Sequence, residues 1–443
     1  MLKKLFSSQL RINMASGVVV TVISAVTMMV AFPIYLHFLG YEKYGVWLVL
    51  ATVLSFAQLG NLGIGHAVMK LVAEEHGRDD IESIQKYVMT AISILLISGS
   101  IALAVILVFK GRIVGLFKLS DANAQTALWL LPYIGILSIY VFIVQALNAT
   151  LSGLGRMDLA NYIQAVGRIV VVTVTSILLY TGRGIESLLV GNTLSYVLIH
   201  VVSLICIGRV AHIHLLRLRN LDAKRGKRIL CFGGGVFGGS VVAMVGIPFN
   251  KLMLSRYAGV DSLPVFEIAF RGAMQLRSMI EAGFRALMPE ISRLSGNMTE
   301  YTKDRMSQIN RGAIKLILLF GIPMYVAMLI FATPLLRIWL REGFIDTIPT
   351  AFRIMLVATF MNLLIVPSFY ILLGIGRIRE VFISQCITWS LNMIIVVTLS
   401  IYIHALTPCT IGLGLIFSWF VSASYINWKL HKTIAGLNKK GQF

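Results

Sequence analysis

VFEIAFRGAMQLRSMIEAGFRALMPEISR, residues 265–293, is the stretch whose reading decides the fold. As a helix rising about 1.5 Å per residue it is long enough to cross a hydrocarbon core of ~30 Å. Most of it is apolar, yet it carries Glu267, Arg271, Gln275, Arg277, Ser278, Glu281 and Arg285. At about 100° per residue these side chains share roughly half of the helix circumference, with Glu267, Arg271, Ser278 and Arg285 close to one line. A charge at the bilayer centre costs ~2.5–3.5 kcal/mol even on the lenient insertion scale, so this face is expected to look onto water. It sets three arginines against two glutamates, which predicts a cationic route through a membrane for something anionic. The plainer alternative is that Glu267 with Arg271, and Arg277 with Glu281, neutralise each other at i,i+4 spacing. On that reading Arg285 and Arg293 simply reach headgroups.

Composition points to a membrane protein. The 443 residues are 57% hydrophobic and 13% charged, with a mean hydropathy of +0.84; a soluble domain has about twice that charged fraction. A formal net charge of +20 would suit a nucleic-acid binder. Its basic residues, however, lie between apolar runs as the positive-inside rule expects, which argues against a nucleic-acid partner. Cys206, Cys231, Cys386 and Cys409 have no ligand-like spacing, so neither a disulfide framework nor a metal site is expected. Met14–Leu36 is too long for a signal-peptide core and reads as a retained first span.

About twelve apolar spans follow: Met14–Leu36, Val46–Val72, Tyr87–Phe109, Ala127–Leu151, Tyr162–Tyr180, Ser187–Ile207, Ile229–Leu254, Val265–Ile291, Ala313–Ala332, Ile348–Leu373, Val381–Ile403 and Ile411–Trp428. Lys and Arg concentrate in alternate connections, which places both termini in the cytoplasm. The longest basic connection, 209–228, is expected to rest on anionic lipids and to join two lobes, 1–208 and 229–430, before a cytoplasmic tail at 431–443.

The two halves look like copies. Aligned without a gap, Phe38–Met69 and Tyr257–Met288 bring Gly40 onto Gly259, Glu42 onto Asp261, Val46 onto Val265 and Trp47 onto Phe266. A second pair agrees at almost the same offset: LSGLGRM at 151–157 reads as LLGIGRI at 372–378. Six spans per copy make both copies enter from the same side, a parallel repeat about an axis along the membrane normal. The predicted fold class is therefore all-α integral membrane, with about twelve transmembrane helices in two six-helix lobes. Transporters of this build carry substrate between their lobes. The Gly pairs permit tight helix exits, and the arginine after each suits a headgroup or an orphan carbonyl.

Other signals are weaker. GGGVFG at 233–238 matches a dinucleotide loop in letters only, because no strand precedes it. It reads better as a small-residue face for close packing or bending. Lys251, beside Asn250 and Pro248, either joins the cationic route or snorkels outward, while Arg168 and Arg353 lie nearer span ends and are expected to snorkel. In the first half, Gln58, Asn61, Gln145 and Asn148 either bond sugar hydroxyls, a role Gln275 and Ser278 could share, or bond between helices. Glu267 and Glu281 are the acids well inside a span and the candidates for proton carriage. There is no catalytic constellation and no metal cluster in the sequence, so no cofactor is expected beyond a proton or sodium gradient.

FLGYEKYGVWLVLATVLSFAQLGNLGIGHAVMKLVAE at 38–74, its echo in the second half and the paired LxGxGR turns resemble bacterial Wzx-type oligosaccharide flippases. These belong to the multidrug/oligosaccharidyl-lipid/polysaccharide exporter superfamily, and the resemblance covers essentially the whole chain. It implies a MATE-like fold of two six-helix lobes, alternating access, and carriage of undecaprenyl-pyrophosphate-linked oligosaccharides to the periplasmic leaflet. The glycan would then pass to polysaccharide polymerase and chain-length machinery, as in O-antigen and lipopolysaccharide assembly. A pyrophosphate needs guanidinium groups that fork onto its oxygens, which nominates Arg271 and Arg277, with Arg285 and Lys251 in support. Two alternatives stand beside this. A cation-coupled drug exporter of the same superfamily favours acids in the first lobe, whose spans lack an interior one. A membrane glycan polymerase or ligase tends to carry a long external loop, and no such loop occurs.

Overall fold

The computed structural model describes residues 8–61, 63–211, 222–284, 300–375, 377–401 and 406–436. Among them every regular element is a helix, and the chain divides into two compact units, Met1–Met244 and Val245–Phe443. Nine helices among the described residues are long and apolar enough to cross a membrane. The first of them contains two expected spans, and the seventh and eighth expected spans are further helices, the latter set apart by its charges.

In the first unit, α1 (Ser8–Ala57) is broken at Gly40, whose φ of 67° and ψ of 177° lie where only glycine sits comfortably. A 3-10 turn over Gln58–Asn61 then leads to α2 (Ile64–His76), so the second expected span is interrupted. There follow α3 (Ile81–Leu116), α4 (Asp121–Gly153), α5 (Met157–Tyr180) and α6 (Glu186–Ala211). Buried Ile64, Leu71, Leu95, Phe142, Leu147 and Leu151 form the heart of the core, where α4 packs on α2 and α3.

Helix α7 (Ala223–Ala258) begins in the first unit and ends in the second. Its basic start is stapled to α2 and α3. Arg225 pairs with Asp222 and donates to Ser83 Oγ at 2.8 Å, and Arg228 donates to Tyr87 Oη at 2.8 Å and to Glu74 at 2.7 Å. Hydrogen bonds from the Arg225 and Lys224 backbone N–H groups, and from the Arg225 guanidinium, hold the Asp222 carboxyl below the usual carboxylate range. The start of α7 also passes close to the first unit's second span: a Cβ on Gly63, before α2, would strike the carbonyl of buried Gly233.

The second unit continues with α8 (Ser262–Phe284), then α9 (Glu300–Leu316), a π turn over Ile317–Gly321 and α10 (Ile322–Leu340). It closes with α11 (Thr347–Leu363), α12 (Val366–Gly374), α13 (Ile378–Ile401) and α14 (Pro408–Gly436). Arg353 does not snorkel. It donates to the Leu329 carbonyl at 3.1 Å and to Thr333 Oγ1 at 3.0 Å, beside Pro334, which interrupts the α10 hydrogen-bond ladder. Arg168 stays exposed, its guanidinium meeting Ser24 Oγ on α1.

Each unit repeats the other internally. The second span packs on the fourth, the fourth on the sixth and the fifth on the sixth, and the eighth, tenth, eleventh and twelfth spans pair in the same way. Gly40 and Gly259, matched in sequence, both have positive φ. The LxGxGR turns also match: α4 ends at Gly153 and α12 at Gly374, and the next helices start at Met157 and Ile378. In each turn the arginine N–H returns to the leucine carbonyl five residues earlier, Arg156 to Leu151 at 3.0 Å and Arg377 to Leu372 at 2.8 Å. The Arg156 side chain binds Asp158 at 3.1 Å.

The two positive-φ glycines make a test. Gly40→Ala should cost on the order of 1–3 kcal/mol through backbone strain alone, since nothing crowds its Cβ position. Gly259→Ala should cost a similar amount, since its φ of 91° strains an alanine in the same way and the exposed Asp261 carboxylate, 2.6 Å from the added Cβ, can turn aside. Thermal unfolding in detergent should give a lowered Tm for both; unshifted transitions would mean that these turns are not fixed as described.

Candidate functional site

Helix α8 has two sides of different character. Leu263, Phe266, Ala269 and Ala273 are buried, and α8 packs on α11, with a Cβ on Gly272 lying only 3.0 Å from Phe352. On the polar side the charges are organised as two linked groups. Glu267 is 2% exposed and sits between two cations. Lys251 Nζ, from α7, is 2.8 Å from Glu267 Oε2, and Arg271 Nε reaches Glu267 Oε1 one turn along α8. Lys251 is buried, whereas the Arg271 side chain is 59% exposed.

The second group lies one to two turns further along. Arg277 Nη1 donates to Glu281 Oε2 at 2.8 Å, and Tyr370 Oη, from α12, donates to Glu281 Oε1 at 3.0 Å. Both members of that ion pair are largely buried. Both i,i+4 pairs expected from the sequence therefore form, and of the two arginines Arg271 is the one that presents its guanidinium outward. Partly buried Ser278 donates to the Gln275 carbonyl at 2.7 Å. Arg285 lies outside the described residues.

Two of the first-half candidates bond each other. Asn61 Nδ2 donates to Gln145 Oε1 at 2.5 Å, tying the interrupted second span to α4. Asn61 Oδ1 and Asn148 Oδ1 are buried without a hydrogen-bond partner among the described residues. The Gln58 side chain also lies outside the described set. Two features went unforeseen in the sequence: Tyr370 as the second ligand of Glu281, and Lys251 as the second cation of Glu267. The first had no local signal, and the second had only the presence of a lysine inside a span. Among the described residues no group of His, Cys, Asp or Glu could hold a metal ion.

Removing one member of a buried ion cluster strands the others. Glu267→Gln should lower stability by about 3–5 kcal/mol, because Lys251 loses its counter-charge in a water-poor setting. Lys251→Met combined with Glu267→Gln should recover most of that loss. Unfolding of the single and double variants in detergent measures both, and additive losses would contradict the pairing.

Comparisons with known proteins agree with this architecture. Residues 10–295 match the polysaccharide biosynthesis protein family. A relative from Shigella flexneri, named "Putative O-antigen transporter", is 21% identical over 355 residues, covering 79% of this chain and 81% of the relative. An inward-facing multidrug resistance MATE transporter of the MOP superfamily superimposes with a TM-score of 0.79 at 16% identity, covering 99% of this chain and 97% of that one. The lipid II flippase MurJ in an inward closed conformation superimposes with a TM-score of 0.76 at 15% identity, covering 94% of this chain and 87% of MurJ. The relative and both structural neighbours are transporters or flippases, not enzymes. With its helical spans and MATE-like fold, this multi-pass membrane chain belongs to the polysaccharide biosynthesis protein family.

Proposed function

We propose that the chain is a flippase that carries undecaprenyl-pyrophosphate-linked oligosaccharide units from the cytoplasmic to the periplasmic leaflet of the bacterial inner membrane. It opens alternately to the two sides, with both termini in the cytoplasm. The observation that carries this reading is Arg271. Its guanidinium is exposed near the middle of a membrane-length helix, where contact with lipid would cost several kcal/mol, so it faces water. Lys251 and Arg271 share one carboxylate, which leaves a net positive charge at that level. An arginine fork suits a phosphate oxygen pair, and Lys251 can retain Glu267 while Arg271 turns to the incoming anion.

Arg277 supports the same route from a more enclosed position, and Arg285 continues its line in the sequence. Gln275 and Ser278 share α8 with Arg271 and are the amide and hydroxyl groups offered for sugar contact there, whereas Asn61 and Gln145 engage each other. Coupling to a proton or sodium gradient would fall to Glu281, which shares hydrogen bonds with Arg277 and Tyr370, or to Glu267. The glycan would be handed on to polymerase and chain-length machinery at the outer face.

The test is where lipid-linked glycan accumulates when the gene is deleted, followed in inverted and right-side-out vesicles. The expected result is repeat units trapped on the cytoplasmic face and loss of surface polysaccharide. Units that reach the outer face without lengthening would indicate a polymerase, and unchanged glycan with heightened sensitivity to cationic dyes would indicate a drug exporter. Arg271→Ala and Arg277→Ala should each cut transport about ten- to a hundredfold, the loss of a charge-assisted contact, while inserting normally. Full complementation by both would refute the cationic route.

A further inference from the structure

Beside the stapled start of α7 lies a groove of about 550 Å³ between α3 and α7, lined by Thr90, Ser93, Ile94, Ile97, Leu230 and Cys231 among others. Gly226 faces Thr90 and Ile94 across it, its Cβ position lying 3.4 Å from Thr90 Cγ2 and 3.7 Å from Ile94 Cδ1. The groove is almost wholly apolar in lining, and one end is basic.

Lys227 lines that end and Lys224 lies one turn earlier, both exposed and without an acidic partner among the described residues. The one carboxylate present, Asp222, is occupied by Arg225 and by the first N–H groups of α7. Arg225 and Arg228 are likewise committed to their own partners. The apolar end runs into a stripe of exposed side chains along α3, Ile97, Ile101, Val105 and Val108, which share one helix face and are suited only to lipid.

We propose that this groove seats one anionic glycerophospholipid, with its phosphate on Lys227 and Lys224 and an acyl chain along Ile94, Ile97, Leu230 and Cys231. Charge complementarity at one end and continuity with a lipid-facing stripe at the other select this occupant over a soluble anion or a peptide. The site is independent of the transport reading and stands or falls without it.

Native mass spectrometry of the purified full chain, with phosphatidylglycerol or phosphatidylcholine of the same acyl length, tests it. One phosphatidylglycerol per chain should be retained in preference to phosphatidylcholine. Lys227→Gln should weaken its retention about fivefold, the factor for one lysine at an anionic surface. Leu230→Trp, which fills the groove, should abolish it, while Ile101→Trp, further along the stripe, should not. Equal retention of the two lipids would overturn the proposal. Displacement of phosphatidylglycerol by an equimolar polyprenyl phosphate would also overturn it, by making the groove a seat for the transported lipid's tail. Lys227→Gln alters an exposed side chain and carries the test alone if Leu230→Trp does not fold.

Discussion

The second unit depends on keeping Glu267 compensated where water is scarce. A carboxylate 2% exposed inside a bundle is tolerable only with its charge answered, and here two cations answer it, one from α7 and one from α8. The arrangement fixes more than a charge. Lys251 ties the end of α7 to α8, and because it holds one carboxylate oxygen, Arg271 needs only the other. The guanidinium can then stand at the open edge of the helix and still be anchored. Arg277 shows the contrasting case: with Glu281 and Tyr370 around it, it is drawn into the unit, and its pair joins α8 to α12.

Irregular backbone in such a protein is confined to places where its polar groups are met internally. The Gly40 and Gly259 turns and the two LxGxGR exits occur at matched positions because each copy must turn the chain the same way at the same depth. The copies diverge where side chains take over. The tenth span breaks at Leu364–Ile365, ahead of Pro367, whereas the fourth runs on past Pro132 as one helix. Asn61, at the interruption of the second span, bonds Gln145 in the first unit, and Arg353 binds a carbonyl beside Pro334 in the second.

Much of this was legible in the chain. Span positions followed from apolar run length, and the internal repeat followed from glycines whose backbone demands outlast side-chain drift. The i,i+4 pairs on α8 followed from helix geometry. What the sequence could not fix was which side of a helix meets which neighbour. Arg353 lies near a span end, where snorkelling is the usual outcome, yet it faces protein, where a carbonyl offers a nearer partner than a headgroup. Lys251 and Tyr370 are the same problem in reverse, since their partners lie 16 and 89 residues away in the chain. The pairs within α8 were therefore readable, and the partners supplied by other helices were not.

That pairing scheme bears on how a cationic route can serve a carrier. A bare guanidinium would bind an anion strongly and release it slowly, and it would be costly to hold in the absence of cargo. An arginine already engaged with a carboxylate has a ground state close in energy to its loaded state, so binding becomes an exchange of one anionic partner for another. Under the proposed function Lys251 would make the exchange balanced: with Arg271 turned to a phosphate, Glu267 would keep a cation, and no charge would be left stranded in the bundle. Under the proposed function, the buried carboxylate is thus the group that returns Arg271 to its resting contact once the lipid-linked anion has left.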